Sequence, residues 1–435
     1  MLRHEKEGII IANIADLFLG EVTKYEPSYP NEKPDALVIK DGKIEAIGET
    51  GRILADYNRT DYEYINCNNE QSVCPSFVDS HTHLVFAGNR SHELEMKIKG
   101  ISYSEIAAKG GGINYTVRET RNASKKELKA AALKILDKML LHGTTTIEAK
   151  SGYGLNHESE LKILEVINEL NEEHPIEIVP TFLGCHIKPE DFMGNTYEYI
   201  ETMMYLLPEI KKRNLAEYVD IWTDLGAFTV EESEFFLKEA VKQGFKIRVH
   251  ADEMDNVGAG IMAANLGAVS ADHLLKSEAI TAEAMAEKEV VANLLPGTPF
   301  VLMSRKYANY RMFRDANCTV ALSTDFNPNC YILNMQTILT LGTYMMKMTP
   351  KEALKAATFG GAKALNREKR IGSIDLGMQA DVLILDVPSI DDLVYQFGTN
   401  NVSTVIKEGK ILVKDKEIIL KKNEPKKKIK YELKI

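Results

Sequence analysis

The stretch Cys74-Pro-Ser-Phe-Val-Asp-Ser-His-Thr-His-Leu-Val-Phe-Ala-Gly-Asn-Arg90 decides how the rest of the chain is read. Phe77 and Val78 are apolar and lead directly into Asp79, His81 and His83. Residues two apart on a strand share a face, so His81 and His83 present two imidazoles side by side. Two neutral imidazoles fixed by one short strand are half of a site for zinc or a similar divalent ion. Two unrelated surface histidines would give the same triplet. The apolar lead-in, the proline that opens the strand and further acid and histidine motifs downstream favour the metal.

Outward from this stretch, apolar runs recur with helix-like segments between them. Strand candidates are residues 144–150, 176–183, 218–223, 246–250, 267–273, 290–296 and 319–325, and helix candidates include 124–141, 158–171 and 230–243. Ser124 with Glu127 fits a capping box. Such alternation indicates a parallel sheet with crossover helices. Counting the His81 strand, eight candidates fill a span near the ~250 residues, plus insertions, of a (β/α)8 TIM-like barrel. An open doubly wound sheet is the alternative. The two ends of the chain share a different, strand-rich style, with a tight-turn signal at Asp41-Gly42-Lys43. The expected fold class is therefore α/β: a hydrolase-type barrel over residues 73–368, plus a small β-sandwich domain built from both termini, residues 1–72 and 369–435.

Composition narrows the function. A chain of 435 residues with 44% hydrophobic and 27% charged residues is that of a globular protein. The net charge of −10 argues against a nucleic-acid partner. The basic run from Lys421 to Lys430 is broken by Pro425 and reads as a solvated tail. Five cysteines without close spacing fit reduced thiols and a cytoplasmic setting. No apolar segment is long enough for a membrane span, and the charged N-terminus lacks a signal-peptide core.

The chemistry falls at strand ends. His81 and His83 end the first strand, His186 follows the third, His250 ends the fifth, His273 the sixth and Asp325 the eighth. In a barrel these ends converge on the C-terminal face, where active sites lie. His81, His83, His250 and Asp325 would hold one divalent ion and leave a position for water, whose pKa a metal lowers to about 7. Asp325 is placed to act as general base, with a helix N-cap as its alternative role. Glu253 could protonate a leaving nitrogen or be a solvated loop acid. His273 could polarise a carbonyl or be a satisfied core histidine. No cysteine sits in a nucleophile motif. Gly110-Gly-Gly112 lacks the Lys-Ser/Thr of a phosphate loop and reads as a mobile loop over the pocket.

Together with Gly100–Tyr103, Gly110–Ile113, Lys150–Leu155, Val249–Glu253, Ser270–His273, Leu294–Thr298 and Ala321–Pro328, these residues resemble the imidazolonepropionase family of the amidohydrolase superfamily over nearly the whole chain. His-x-His marks only the superfamily. Arg90, Lys-Ser-Gly-Tyr-Gly and Ser-Thr-Asp-Phe-Asn-Pro together are far more specific. The resemblance implies hydrolysis of the small-molecule substrate 4-imidazolone-5-propanoate to N-formimidoyl-L-glutamate in histidine degradation. It implies one zinc or iron ion on His81, His83, His250 and Asp325, a homodimer, and substrate contacts at Arg90, Tyr103, Tyr153, His186, Glu253, Asn327, Asn329 and Cys330. Arg90 offers a forked donor for the propanoate, although Glu93 could claim it instead. Two-metal relatives often use a modified lysine on the fourth strand, and Lys150 lies one strand earlier by this count, which implies a single ion. The family usually has Gly then Ser or Thr where this chain has Asn329 and Cys330. Asn tolerates a positive φ, and a thiol is the weaker donor. A base deaminase sharing the histidines, and a scaffold that has lost its metal, are the competing functions.

Overall fold

The computed structural model describes residues 6–29, 32–101, 105–106 and 109–419. Tyr103 and the basic run from Lys421 to Lys430 lie outside the described residues.

Eight parallel strands, Phe77–Asp79, Thr144–Lys150, Glu177–Cys185, Tyr218–Thr223, Lys246–Ala251, Ser270–His273, Val291–Leu294 and Val320–Leu322, pair in sequence order. Their residues are buried almost throughout, as expected of strands covered on both faces. The sheet closes through a parallel bridge between Thr82 and Phe326. Backbone bonds from Asp325 N to His81 O (3.1 Å) and from His83 N to Phe326 O (2.8 Å) complete the seam. Asp79 fastens the same seam by accepting from Thr324 N at 3.0 Å and from its hydroxyl at 2.6 Å. The first strand's ladder ends at Asp79, so His81 and His83 lie just beyond it, on the extended segment that makes this closing bridge. The closure itself sets the His-x-His triplet beside Asp325.

Helices cover the outside of the cylinder. Lys125–Leu141 begins at a Ser124–Glu127 capping box and Val230–Lys242 at a Thr229–Glu232 box, each satisfying backbone donors that would otherwise lack partners. Among the described residues, no helix is long and apolar enough to cross a membrane.

Both ends of the chain build the second layer. A four-stranded sheet holds Gly8–Ala12, Ala36–Lys40, Lys43–Gly48 and Glu63–Asn66, and a six-stranded sheet holds Asp16–Leu17, Ser72–Pro75, Val382–Leu385, Val402–Lys407, Lys410–Lys414 and Glu417–Ile418. Ile9, Ile11, Leu37 and Ile39 of one pack with Val73, Val382, Ile384 and Ile406 of the other. Asp41 (φ 51°) and Gly42 (φ 76°) make the left-handed two-residue turn read from the sequence. Ser72–Pro75 belongs to this layer and runs directly into the first barrel strand.

Candidate active site

His81, His83, His250, His273 and Asp325 are all buried and meet at the C-terminal mouth of the barrel. One ring nitrogen each from His81, His83 and His250 lie within 4.8 Å of one another, and His81, His273 and Asp325 form a second such group. Asp325 Oδ1 is 3.6 Å from His81 Nε2 and 3.5 Å from His83 Nε2. Thr298 donates its hydroxyl to the other oxygen at 2.5 Å, which fixes the carboxylate plane. Asp325 has φ 49° and opens no helix, since the next one begins after Asn334, so the N-cap role is excluded.

Behind the imidazoles lies a ring of buried charge. His81 Nδ1 is 2.6 Å from Asp272 Oδ2, and His250 Nδ1 is 3.1 Å from Asp220 Oδ2. Ser270 donates to Asp272 at 2.6 Å and Arg248 at 3.0 Å. The ammonium of Lys150 sits 2.8 Å from both Glu148 and Asp220. Burial works against its charge, but the Asp220 and Glu148 carboxylates outweigh that effect and keep it protonated. Lys150 ends the second barrel strand, so it stands two strands before the fourth rather than one.

Burial, reinforced by the neighbouring cations and rings, pushes the imidazoles of His81, His83 and His273 well below their ordinary pKa, so they are neutral, as metal ligands must be. The Nε2 atoms of His81 and His250 are buried without a hydrogen-bond partner. Unpaired buried acceptors cost free energy, and a divalent ion would satisfy these. The donor set of imidazoles and carboxylate therefore fits a divalent ion, with Asp220 and Asp272 placed behind the rings where they would orient them.

Burial pushes the carboxyl of Asp325 up to about 6, against the pull of the Thr298 hydroxyl. Glu253 rises further, to about 8, through burial and then the carboxylates of Asp325 and Asp224. Its loop is pinned by Asp224, which accepts the backbone N–H groups of Glu253 (2.6 Å), Met254 (2.8 Å) and Asp255 (3.1 Å). Glu253 Oε1 lies 3.9 Å from His273 Nδ1, and His273 itself has φ 78°, a strained conformation of the kind that clusters at functional sites.

The remaining sequence candidates divide. Tyr153 and His186 join the cluster: the ring of Tyr153 is 5.5 Å from that of His83, and His186 stacks on His83 at 5.0 Å. Glu160 shapes the Tyr153 loop by accepting N–H bonds from Gly152 (3.0 Å), Gly154 (2.8 Å) and Leu155 (2.7 Å). His186 Nδ1 lies 3.0 Å from the Gly152 carbonyl, which fixes the tautomer and directs Nε2 elsewhere. Burial lowers its pKa to about 3.

Arg90 is held in a fork by Glu93, with two bonds of 2.9 Å. Glu93 in turn accepts the N–H of Gly112 at 2.8 Å, which ties down the triple-glycine segment. Asn327 spends its side chain locally, donating to Asp325 O and accepting from the N–H groups of Asn329 and Cys330, all at 2.8 Å. Asn329 has no positive φ, so this position demands no left-handed backbone. The Cys330 thiol is buried and points to the Thr324 carbonyl at 3.5 Å. A cavity of about 810 Å³, lined by residues including Phe86, Arg90, Lys97, Phe300 and Asn329, opens beside this loop. Tyr103 lies outside the described residues.

Sequence reading passed over Asp220, Asp272, Glu148, Arg248 and Thr298. The signal was there: Glu148 and Lys150, Arg248 and His250, and Ser270 and Asp272 are polar residues two apart within otherwise apolar strands, hence on one face.

A closed parallel barrel with neutral imidazoles and a carboxylate at its mouth defines a class, and the comparisons agree. The chain belongs to the amidohydrolase family, whose model matches residues 72–412. Within it the chain is a member of the imidazolonepropionase family. It is 45% identical over 417 residues to the imidazolonepropionase of Clostridium tetani, covering 94% of this chain and 99% of that one. It is 43% identical over 389 residues to that of Streptococcus gordonii, covering 88% and 91%. Among solved structures, a zinc-bound adenosine deaminase from Xanthomonas campestris superposes with TM-score 0.67 at 18% identity, covering 95% of both chains. The zinc-complexed atrazine chlorohydrolase of Arthrobacter aurescens gives TM-score 0.65 at 15% identity, covering 95% of this chain and 97% of that one. At these identities the structural likeness shows the fold alone.

Proposed function

We propose that this chain hydrolyses 4-imidazolone-5-propanoate to N-formimidoyl-L-glutamate, the ring-opening step of histidine degradation, using His81, His83, His250 and Asp325 to hold one divalent ion. The observation that carries this reading is the pair of partnerless buried nitrogens, Nε2 of His81 and Nε2 of His250, in the cluster that His83 and Asp325 complete, in a chain 45% identical to an imidazolonepropionase. Zinc or iron suits the donor set equally, and when bound it would polarise oxygen and make water acidic enough to ionise near neutral pH.

The residues divide the remaining work. In the overall reaction the water oxygen bonds to the ring carbonyl carbon, the ring C–N bond breaks, and a proton from water ends on the departing nitrogen. Asp325, raised only to about 6, is mostly ionised at neutral pH and accepts the proton of the attacking water. Glu253, raised to about 8, is mostly protonated there and supplies the proton to the departing nitrogen. These two carboxyls thus take opposite roles because their surroundings differ. His273 donates toward the carbonyl oxygen and orients the water. Tyr153 and His186 wall the ring, with Tyr103 as a further contact. Arg90 and the backbone of Asn327–Cys330 face the propanoate side. Functionally, residues 73–368 form the catalytic unit and the two terminal segments its supporting layer. Five unpaired, buried cysteines support a cytoplasmic setting.

The test is turnover. Purified protein loaded with zinc or iron should abolish the imidazolone absorbance and yield N-formimidoyl-L-glutamate by mass spectrometry. An unchanged absorbance under both metals would contradict the function.

A further inference from the structure

Charge around the cavity that Arg90, Lys97 and Asn329 line, next to the loop that follows Asp325, is not balanced as the sequence suggests. Arg90, the evident partner for a carboxylate, is already forked onto Glu93 through Nε and one terminal nitrogen, each at 2.9 Å. Glu93 is fully buried, so the Arg90–Glu93 pair contributes no net charge to the wall. One turn further on, Lys97 lines the same cavity from the short helix Leu94–Ile98 and is half-buried. Its ammonium donates to the Asn329 side-chain oxygen, a neutral acceptor. Among the described residues no carboxylate lies within ion-pairing distance of it. The side chain of Asn329 holds the lysine head against the loop that follows Asp325.

Resting on the function given above, we propose that Lys97, steered by Asn329, is a further substrate-binding cation that receives the carboxylate end of the substrate. Among the described residues this half-buried ammonium has an amide as its hydrogen-bond partner and feels Glu93 only at a distance, and an incoming carboxylate would complete it with a charge-assisted bond. Burial first, and the nearby Arg90 second, push the Lys97 pKa down against the pull of Glu93, which is the direction an arriving anion would reverse. Arg90 then serves to shape the wall and to hold Glu93 against Gly112, while the net attraction for the propanoate comes from Lys97.

The test is steady-state kinetics on metal-loaded protein, with imidazolonepropanoate and its tail amide as a neutral analogue. Lys97→Gln should raise KM for the acid roughly ten- to a hundredfold, the loss expected for a charge-assisted hydrogen bond, with kcat within about threefold. Lys97→Arg should recover most of that loss, and the amide should show the same KM in Lys97→Gln as in the unaltered protein. Lys97→Met, which keeps the apolar stem, carries the same comparison where the glutamine variant does not fold. A KM within about twofold of the unaltered protein, or an equal penalty on acid and amide, would overturn the role of Lys97. Unaltered protein that opens neither ring rejects the function itself, a different failure.

Discussion

Asp272 Oδ2 lies 2.6 Å from Nδ1 of His81, and the opposite nitrogen of the same ring faces Asp325 Oδ1 at 3.6 Å. The carboxylate holds the proton on Nδ1 and leaves Nε2 as a lone-pair donor at the mouth of the barrel. Asp272→Asn would keep the shape and remove the charge. The expected outcome is a metal affinity lower by about ten- to a hundredfold, measured by competition with a chelator, with the fold retained.

Lys150 is the keystone of the buried charge, 2.8 Å from both Glu148 and Asp220. Lys150→Met leaves two carboxylates buried without their cation. Breaking a buried pair in this way costs roughly 3–5 kcal/mol, so denaturant unfolding should show a loss of that order. Because Asp220 also orients His250 at 3.1 Å, metal binding should weaken in parallel.

Glu253 gives a pH dependence with a definite sign. In the metal-free fold its carboxyl is raised from 4.5 to about 8, so the native state holds this proton where the unfolded chain has released it. Its contribution to stability is therefore fully present below pH 4.5 and is lost as pH rises to about 8. Chemical denaturation of metal-free protein across that window should show the decline, and Glu253→Gln should flatten it.

The Cys330 thiol points to the Thr324 carbonyl at 3.5 Å and does not line the cavity. Cys330→Ser keeps a donor toward the same carbonyl. Its kcat/KM on imidazolonepropanoate should stay within about threefold of the unaltered protein, an energy below 1 kcal/mol.

The eight barrel strands were legible because each is a compact apolar run bounded by helix-capping and turn residues, and period and length suffice to find such runs. The histidines and Asp325 were legible because they interrupt those runs at one end. The closing bridge between Thr82 and Phe326 was not, since pairing between the first and last strands leaves no local period. Nor was Asp220, whose meaning depends on the imidazole of His250 that it faces across the barrel. Arg90 shows the opposite limit: its type suggested a carboxylate partner, and the chain supplies one three residues away in Glu93.

Metal content measured on extensively dialysed, reconstituted protein tests the central claim most directly, because everything at the barrel mouth depends on His81, His83, His250 and Asp325 acting as one ligand set. The expected result is about one zinc or iron ion per chain in the unaltered protein, consistent with a single mononuclear site, and almost none in His250→Ala. Two ions per chain, or full loading of His250→Ala, would contradict it.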